Sequence, residues 1–250
     1  MIRRGILFAF LLGVGASAAL AQPKTILIPQ LAHGQGNVSE ILFINLTNTT
    51  NLIDVRTYDN SGAPINLLSN FSSPLGQGAT AVSASGVELA GLGIAFLRTA
   101  SAAPNTLQIA WAEVSSSGPV AVEIVISILD ANQKLLSATS VLPQPLTAAF
   151  SFATVFSQTV GTGVALVNPK TSLQSANIRL RLFDRFGQFL GEQTVTLAPG
   201  GKTSRFVHEL FTGLSNFAGS VDVRSDVPVG VMVLRVEGLH LTTQQLLPPR

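Results

Sequence analysis

Three arginines and an aromatic at alternating positions carry the strongest chemical signal in this sequence: Arg179, Arg181, Phe183 and Arg185. Residues two apart share one face of a strand, so guanidinium groups would flank the ring there. An aromatic bordered by guanidinium groups suits an acidic glycan, another anion or a partner's carboxylates. The alternative for such a face is a solvated surface that resists edge-to-edge aggregation. Two further aromatics are candidate saccharide platforms: Trp111, the only tryptophan, for which a place in a core or between sheets is the alternative, and Tyr58, the only tyrosine.

Other residue types give less. His33, His208 and His240 are scattered, and His208-Glu209 lacks the second histidine of a zinc-protease helix, so no metal site is expected. No Gly-x-Ser-x-Gly elbow accompanies the many serines. Gly34-Gln-Gly36 and Gly161-Thr-Gly163 precede strand-like stretches rather than helices, which leaves no phosphate cradle. Asp59, Asp130 and Asp184 stand alone in their loops, where a calcium site gathers several carboxylates. The expectation is a non-enzyme without a cofactor.

The elements that position these residues have the period of strands. Val120, Val122, Ile124, Ile126 and Ile128 share one face, and Ala121, Glu123, Val125 and Ser127 the other. Ile178, Leu180 and Leu182 alternate with Arg179, Arg181 and Phe183 in the same way. So do Ile53, Val55 and Thr57 with Asp54, Arg56 and Tyr58. Arg235 breaks the pattern by falling on the face of Val231 and Val233, which predicts a bulge or an edge position. Asp59-Asn-Ser-Gly62, Asp130-Ala-Asn-Gln133 and Asp184-Arg-Phe-Gly187 read as hairpin loops, since Asp bonds its own backbone and Gly accepts positive φ. Gly76-Gln-Gly78 and Pro199-Gly-Gly201 read as further turns. Phe206 to Leu214 is the one candidate for a short helical turn.

The chain also repeats itself. Ser115-Ser-Ser-Gly-Pro-Val-Ala-Val122 returns as Arg224-Ser-Asp-Val-Pro-Val-Gly-Val231, and Asp59 through Gly62 returns as Asp184 through Gly187. Asn45 matches Asn168. The expected architecture is all-β, with two tandem β-sandwich units: 22–143, then a proline linker over 144–147, then 148–250. An outer-membrane barrel needs aromatic girdles, for which one Trp and one Tyr do not suffice.

Residues 1–21 have the pattern of a cleaved signal peptide, with Arg3 and Arg4, the apolar stretch Ile6 to Val14, and Ala19-Leu-Ala21 at the cleavage site. No membrane span is expected in the mature form. The chain has 15 Lys and Arg against 13 Asp and Glu. Losing Arg3 and Arg4 brings these level, which argues against nucleic acid as a partner. Residues 22–145 hold four basic and seven acidic side chains and 146–250 nine and six, an asymmetry that favours contact between the halves or self-association. Cysteine is absent, so there are no disulfides, thiolate metal sites or lipoprotein anchor.

Ile28-Pro-Gln-Leu-Ala-His-Gly34, Leu197-Ala-Pro-Gly-Gly201, Arg205-Phe-Val-His-Glu-Leu-Phe211 and the two Ser-x-x-Pro-Val segments resemble a group of uncharacterised secreted bacterial proteins with tandem, Ig-like β-sandwich units. The resemblance covers nearly all of the mature chain and rests on turn and strand signatures. It implies a periplasmic or extracellular protein. It implies no catalytic residue. The expected function, from the residues themselves, is that of a secreted structural or interaction protein binding a protein or surface partner, with a polysaccharide-binding module as the alternative.

Overall fold

The computed structural model describes residues 25–73, 76–77, 84–99 and 105–250. The signal-peptide pattern and Gly78 lie outside the described residues. The chain is all-β. Its N-terminal strands are β1 (Thr25–His33), β2 (Asn37–Asn45), β3 (Asn51–Tyr58), β4 (Leu68–Ser73), β5 (Gly76–Gln77), β6 (Ala84–Leu89), β7 (Ile94–Thr99), β8 (Gln108–Ser116), β9 (Val120–Leu129) and β10 (Leu135–Val141). They form two antiparallel sheets, ordered β1-β8-β3-β6 and β10-β9-β2-β7-β4-β5. Pro143-Gln-Pro145 lies in the strand-free stretch that follows β10.

The C-terminal elements are β11 (Thr147–Phe156), β12 (Val160–Val167), β13 (Ala176–Asp184), β14 (Phe189–Leu197), β15 (Lys202–Phe206), the single turn α1 (Val207–Leu210), β16 (Phe217–Glu237) and β17 (His240–Thr243). The first half of β16 lies between β11 and β13, with β14 outside β13. Its second half lies between β17 and β12, with β15 outside β12. The pairing order is that of the N-terminal sheets. Pro119, in the loop where the chain leaves β8 for β9, corresponds to Pro228, where β16 passes from one set of partners to the other.

Alternation builds each interior. Val120, Val122, Ile124 and Ile126 of β9 join Ile41, Phe43 and Ile53 in one core. Ile178, Leu180 and Leu182 of β13 join Phe152, Leu166 and Val221 in another. The three Asp loops close alike. Asp59 Oδ1 accepts from Ser61 N and Ala63 N, Asp130 Oδ1 from Asn132 N and Lys134 N, and Asp184 Oδ1 from Phe186 N and Gln188 N, all at 2.8–2.9 Å. The fourth residue of each is left-handed, with φ of 85° at Gly62, 63° at Gln133 and 83° at Gly187.

Two expectations change in detail. Arg235 sits in an unbroken register between Thr162 of β12 and Thr242 of β17, so that position is neither a bulge nor an edge. It falls at the rim of the core, where its guanidinium reaches Glu237 at 2.9 Å. Gly161 and Gly163 lie inside β12 rather than before a strand. The side chains of the two sets of strands also interlock. Ala165 and Met232 belong to the N-terminal core, and Val167 packs with Leu27, Tyr58 and Trp111.

Candidate functional site

Strand β13 presents Arg179, Arg181 and Phe183 outward because Ile178, Leu180 and Leu182 are committed to the core. Register then selects their neighbours. Arg179 is opposite Thr194 on β14 and Arg224 on β16; Arg181 is opposite Glu192 and Asp222; Phe183 is opposite Phe189 and Ser220. Glu192 Oε2 stands 3.8 Å from the Nε of both Arg179 and Arg181, so one carboxylate serves two guanidinium groups. Arg181 also lies 5.3 Å from the ring centres of Phe183 and Phe189, an arrangement with cation–π character.

The C-terminal segment completes this face. Ser151 on β11 exchanges backbone hydrogen bonds with Leu247, which carries Arg250 across the sheet. Arg250 N donates to Asp222 Oδ1 at 2.9 Å, and its guanidinium lies 5.2 Å from the Phe183 ring. Arg224 pairs with Asp222 at 3.3 Å and donates to the Arg250 carbonyl. Three guanidinium groups are therefore paired with two carboxylates, and that of Arg250 lies beside them over Phe183. Asp222 is almost fully buried, whereas the side chains of Arg179, Arg181 and Arg224 remain 53, 39 and 44 % exposed. Arg185 is in the β13–β14 loop instead, stacked on Phe186 at 4.8 Å, and Phe186 is 80 % exposed.

Sequence spacing finds Arg179, Arg181 and Phe183. It misses Arg224, Arg250, Glu192 and Phe189, which reach the face only through strand pairing. Arg224 alternates with Asp222 along β16.

Trp111 and Tyr58 are not available as saccharide platforms. Their rings stack on each other at 4.5 Å, and Trp111 is 0 % exposed, with Nε1 donating to Asp59 O at 3.0 Å. Tyr58 is covered by Lys170, whose Nζ is 4.6 Å from the ring centre. Burial, with the charge of Glu113 next in importance, raises the Tyr58 pKa. Both rings face outward from their own sheet, but the C-terminal strands cover them.

The histidines stay apart. His208 stacks between Phe156 and Phe206, and His240 begins β17. Burial lowers the His33 pKa, against a backbone hydrogen bond at Thr99 that raises it. Among the described residues, no group of three His, Asp or Glu side chains is placed to hold a metal ion.

One cation escaped sequence analysis. Lys202, the first residue of β15, is 5 % exposed and lies where the two sets of strands meet. Its Nζ donates to Gln30 Oε1 at 2.7 Å and to Ala110 O at 3.0 Å, and Ser204 Oγ donates to the same Gln30 oxygen at 2.7 Å. Burial lowers its pKa to about 7. None of the ion pairs among the described residues includes it.

No protein-family model matches the chain, and no curated protein is similar to it, so a functional reading rests on these residues alone.

Proposed function

We propose that this is a secreted, non-enzymatic interaction protein of two β-sandwich units, engaging an anionic protein or polysaccharide of the cell surface. The matching strand order of the two halves supports the two-unit reading. Residues 1–21 support export. The observation that carries the binding reading is the convergence of Arg179, Arg181, Arg224 and Arg250 on one open face with two carboxylates between them.

Half-exposed guanidinium groups on a β-sheet are held in place yet keep free donors, the condition for bidentate contact with carboxylate or sulfate. Phe183 and Phe189 fix the orientation of Arg181. The test is binding of purified protein to immobilised polygalacturonate, dextran sulfate and neutral dextran at two salt concentrations. Retention on the anionic polymers, weakened by salt and by Arg181→Glu with Arg224→Glu, is expected. Equal retention on neutral dextran, or no effect of the two substitutions, would overturn this reading.

A further inference from the structure

We propose that the cleft between the two sets of strands is a binding site for a single-chain alkyl carboxylate, whose head group pairs with Lys202. The cleft encloses about 400 Å³, within the range of small-ligand sites. Ile126 and Ile128 of β9 form one wall, and Met232 and Leu234 of β16 form the other. These side chains are aliphatic, which suits a flexible chain better than a planar ring. Gly163 and Ala165 on β12 pair with Leu234 and Met232 in that second wall, where their small size leaves the space open. From Met232 to Val236 the cleft runs about 13 Å along β16, the reach of a medium-length alkyl chain.

Gln30 and Ser204 line the cleft, as do the charged residues Arg205 and Glu209; Lys202 is outside this lining and stands behind Gln30, to which it is hydrogen-bonded. Register places Ser204 beside Ala165, with Met232 one strand further on, so this polar group lies at the edge of that aliphatic wall. Lys202 is a buried cation whose acceptors are neutral, an amide oxygen and a backbone carbonyl. A buried charge without a counter-charge is costly, and a ligand carboxylate supplies the missing one. The carboxylate takes the place of Gln30 Oε1 and accepts from Lys202 Nζ and Ser204 Oγ. The Gln30 amide turns to donate to it. The aliphatic walls then cover the chain.

The test is calorimetric titration of the full chain with decanoate, decanol and decyltrimethylammonium. Decanoate should bind at least about tenfold more tightly than the cationic analogue. Lys202→Met should remove that preference while leaving decanol binding intact. Gly163→Leu should weaken all three, because a Cβ there meets only ordinary contacts, the nearest being the Phe206 ring at 3.7 Å, and the rest of the side chain takes up cleft space. Failure of decanoate to bind the folded protein, or equal binding of the anionic and cationic chains, would overturn the proposal. Those two wild-type titrations decide it even if a variant does not fold.

Discussion

Lys202 makes the stability of this protein depend on pH in a window where few other groups titrate. Its pKa falls from 10.5 to about 7 on folding because burial strips water from the ammonium. Between those values the unfolded chain binds the extra proton, so stability rises with pH across the window. Below about pH 7 both states are protonated and the cost of burial is present in full. The groups around Nζ are the Gln30 amide and the Ala110 carbonyl, so no charged contact offsets that cost. The whole shift corresponds to roughly 5 kcal/mol. The accessible part, from about pH 7.5 to 9.5, is roughly 2–3 kcal/mol at up to about 1.4 kcal/mol per pH unit.

The perturbation is Lys202→Met, which keeps most of the side-chain volume and removes the charge. Urea unfolding at a series of pH values is the assay, read as the transition midpoint at constant m. The wild-type midpoint should climb over the window while that of the variant stays level. The variant leaves Ala110 O without its donor, a loss of about 1–3 kcal/mol. It should therefore match or exceed the wild type at neutral pH and fall behind at high pH. His33 titrates below this window and Tyr58 above it, their pKa values being lowered and raised respectively. A flat wild-type profile, or a variant that keeps the slope, would refute the reasoning.

Further outcomes follow from the turns and from the paired asparagines. Gly62→Ala should destabilise more than Gly187→Ala, although φ is 85° and 83°. A Cβ at Gly62 meets Gly200 O at 2.7 Å, whereas at Gly187 the nearest atom is Arg250 Nη1 at 3.6 Å; thermal melting of the two variants reads the difference. Gln133→Gly should raise the melting temperature by relieving a left-handed residue with a side chain, a gain on the order of 1 kcal/mol. Asn45→Ala should cost about 2–4 kcal/mol in denaturant unfolding, since Asn45 bonds Thr49 O, Leu89 O, Thr47 N and Asn51 Nδ2. Asn168→Ala should cost less, because the Asn168 side chain donates to Gln174 O and Leu197 O alone while its own oxygen lacks a partner.

Much of the fold is legible because its signals are local. Alternation along Val120 to Ile128 and Ile178 to Phe183 states which side chains leave the core, and the sheets obey it. The Asp-initiated loops close through their own backbone, so Asp59, Asp130 and Asp184 could be read without knowing what surrounds them. The candidate site was half legible for the same reason. Arg179, Arg181 and Phe183 come from one strand, whereas Glu192, Arg224 and Arg250 arrive from three other segments through register.

By itself, then, the sequence determined the strand faces, the turns and the outward arginines of β13. Tertiary structure decided what each outward face meets. Tyr58 and Trp111 leave their own sheet and are buried by the C-terminal strands, while Arg179 and Arg181 leave theirs and meet water. Lys202 begins a strand as an ordinary cation would, and becomes a buried charge only because β1 and β8 pack against it. A period of two assigns a side chain to a side of a sheet; whether that side is solvent, another sheet or a cleft depends on contacts between residues far apart in the chain.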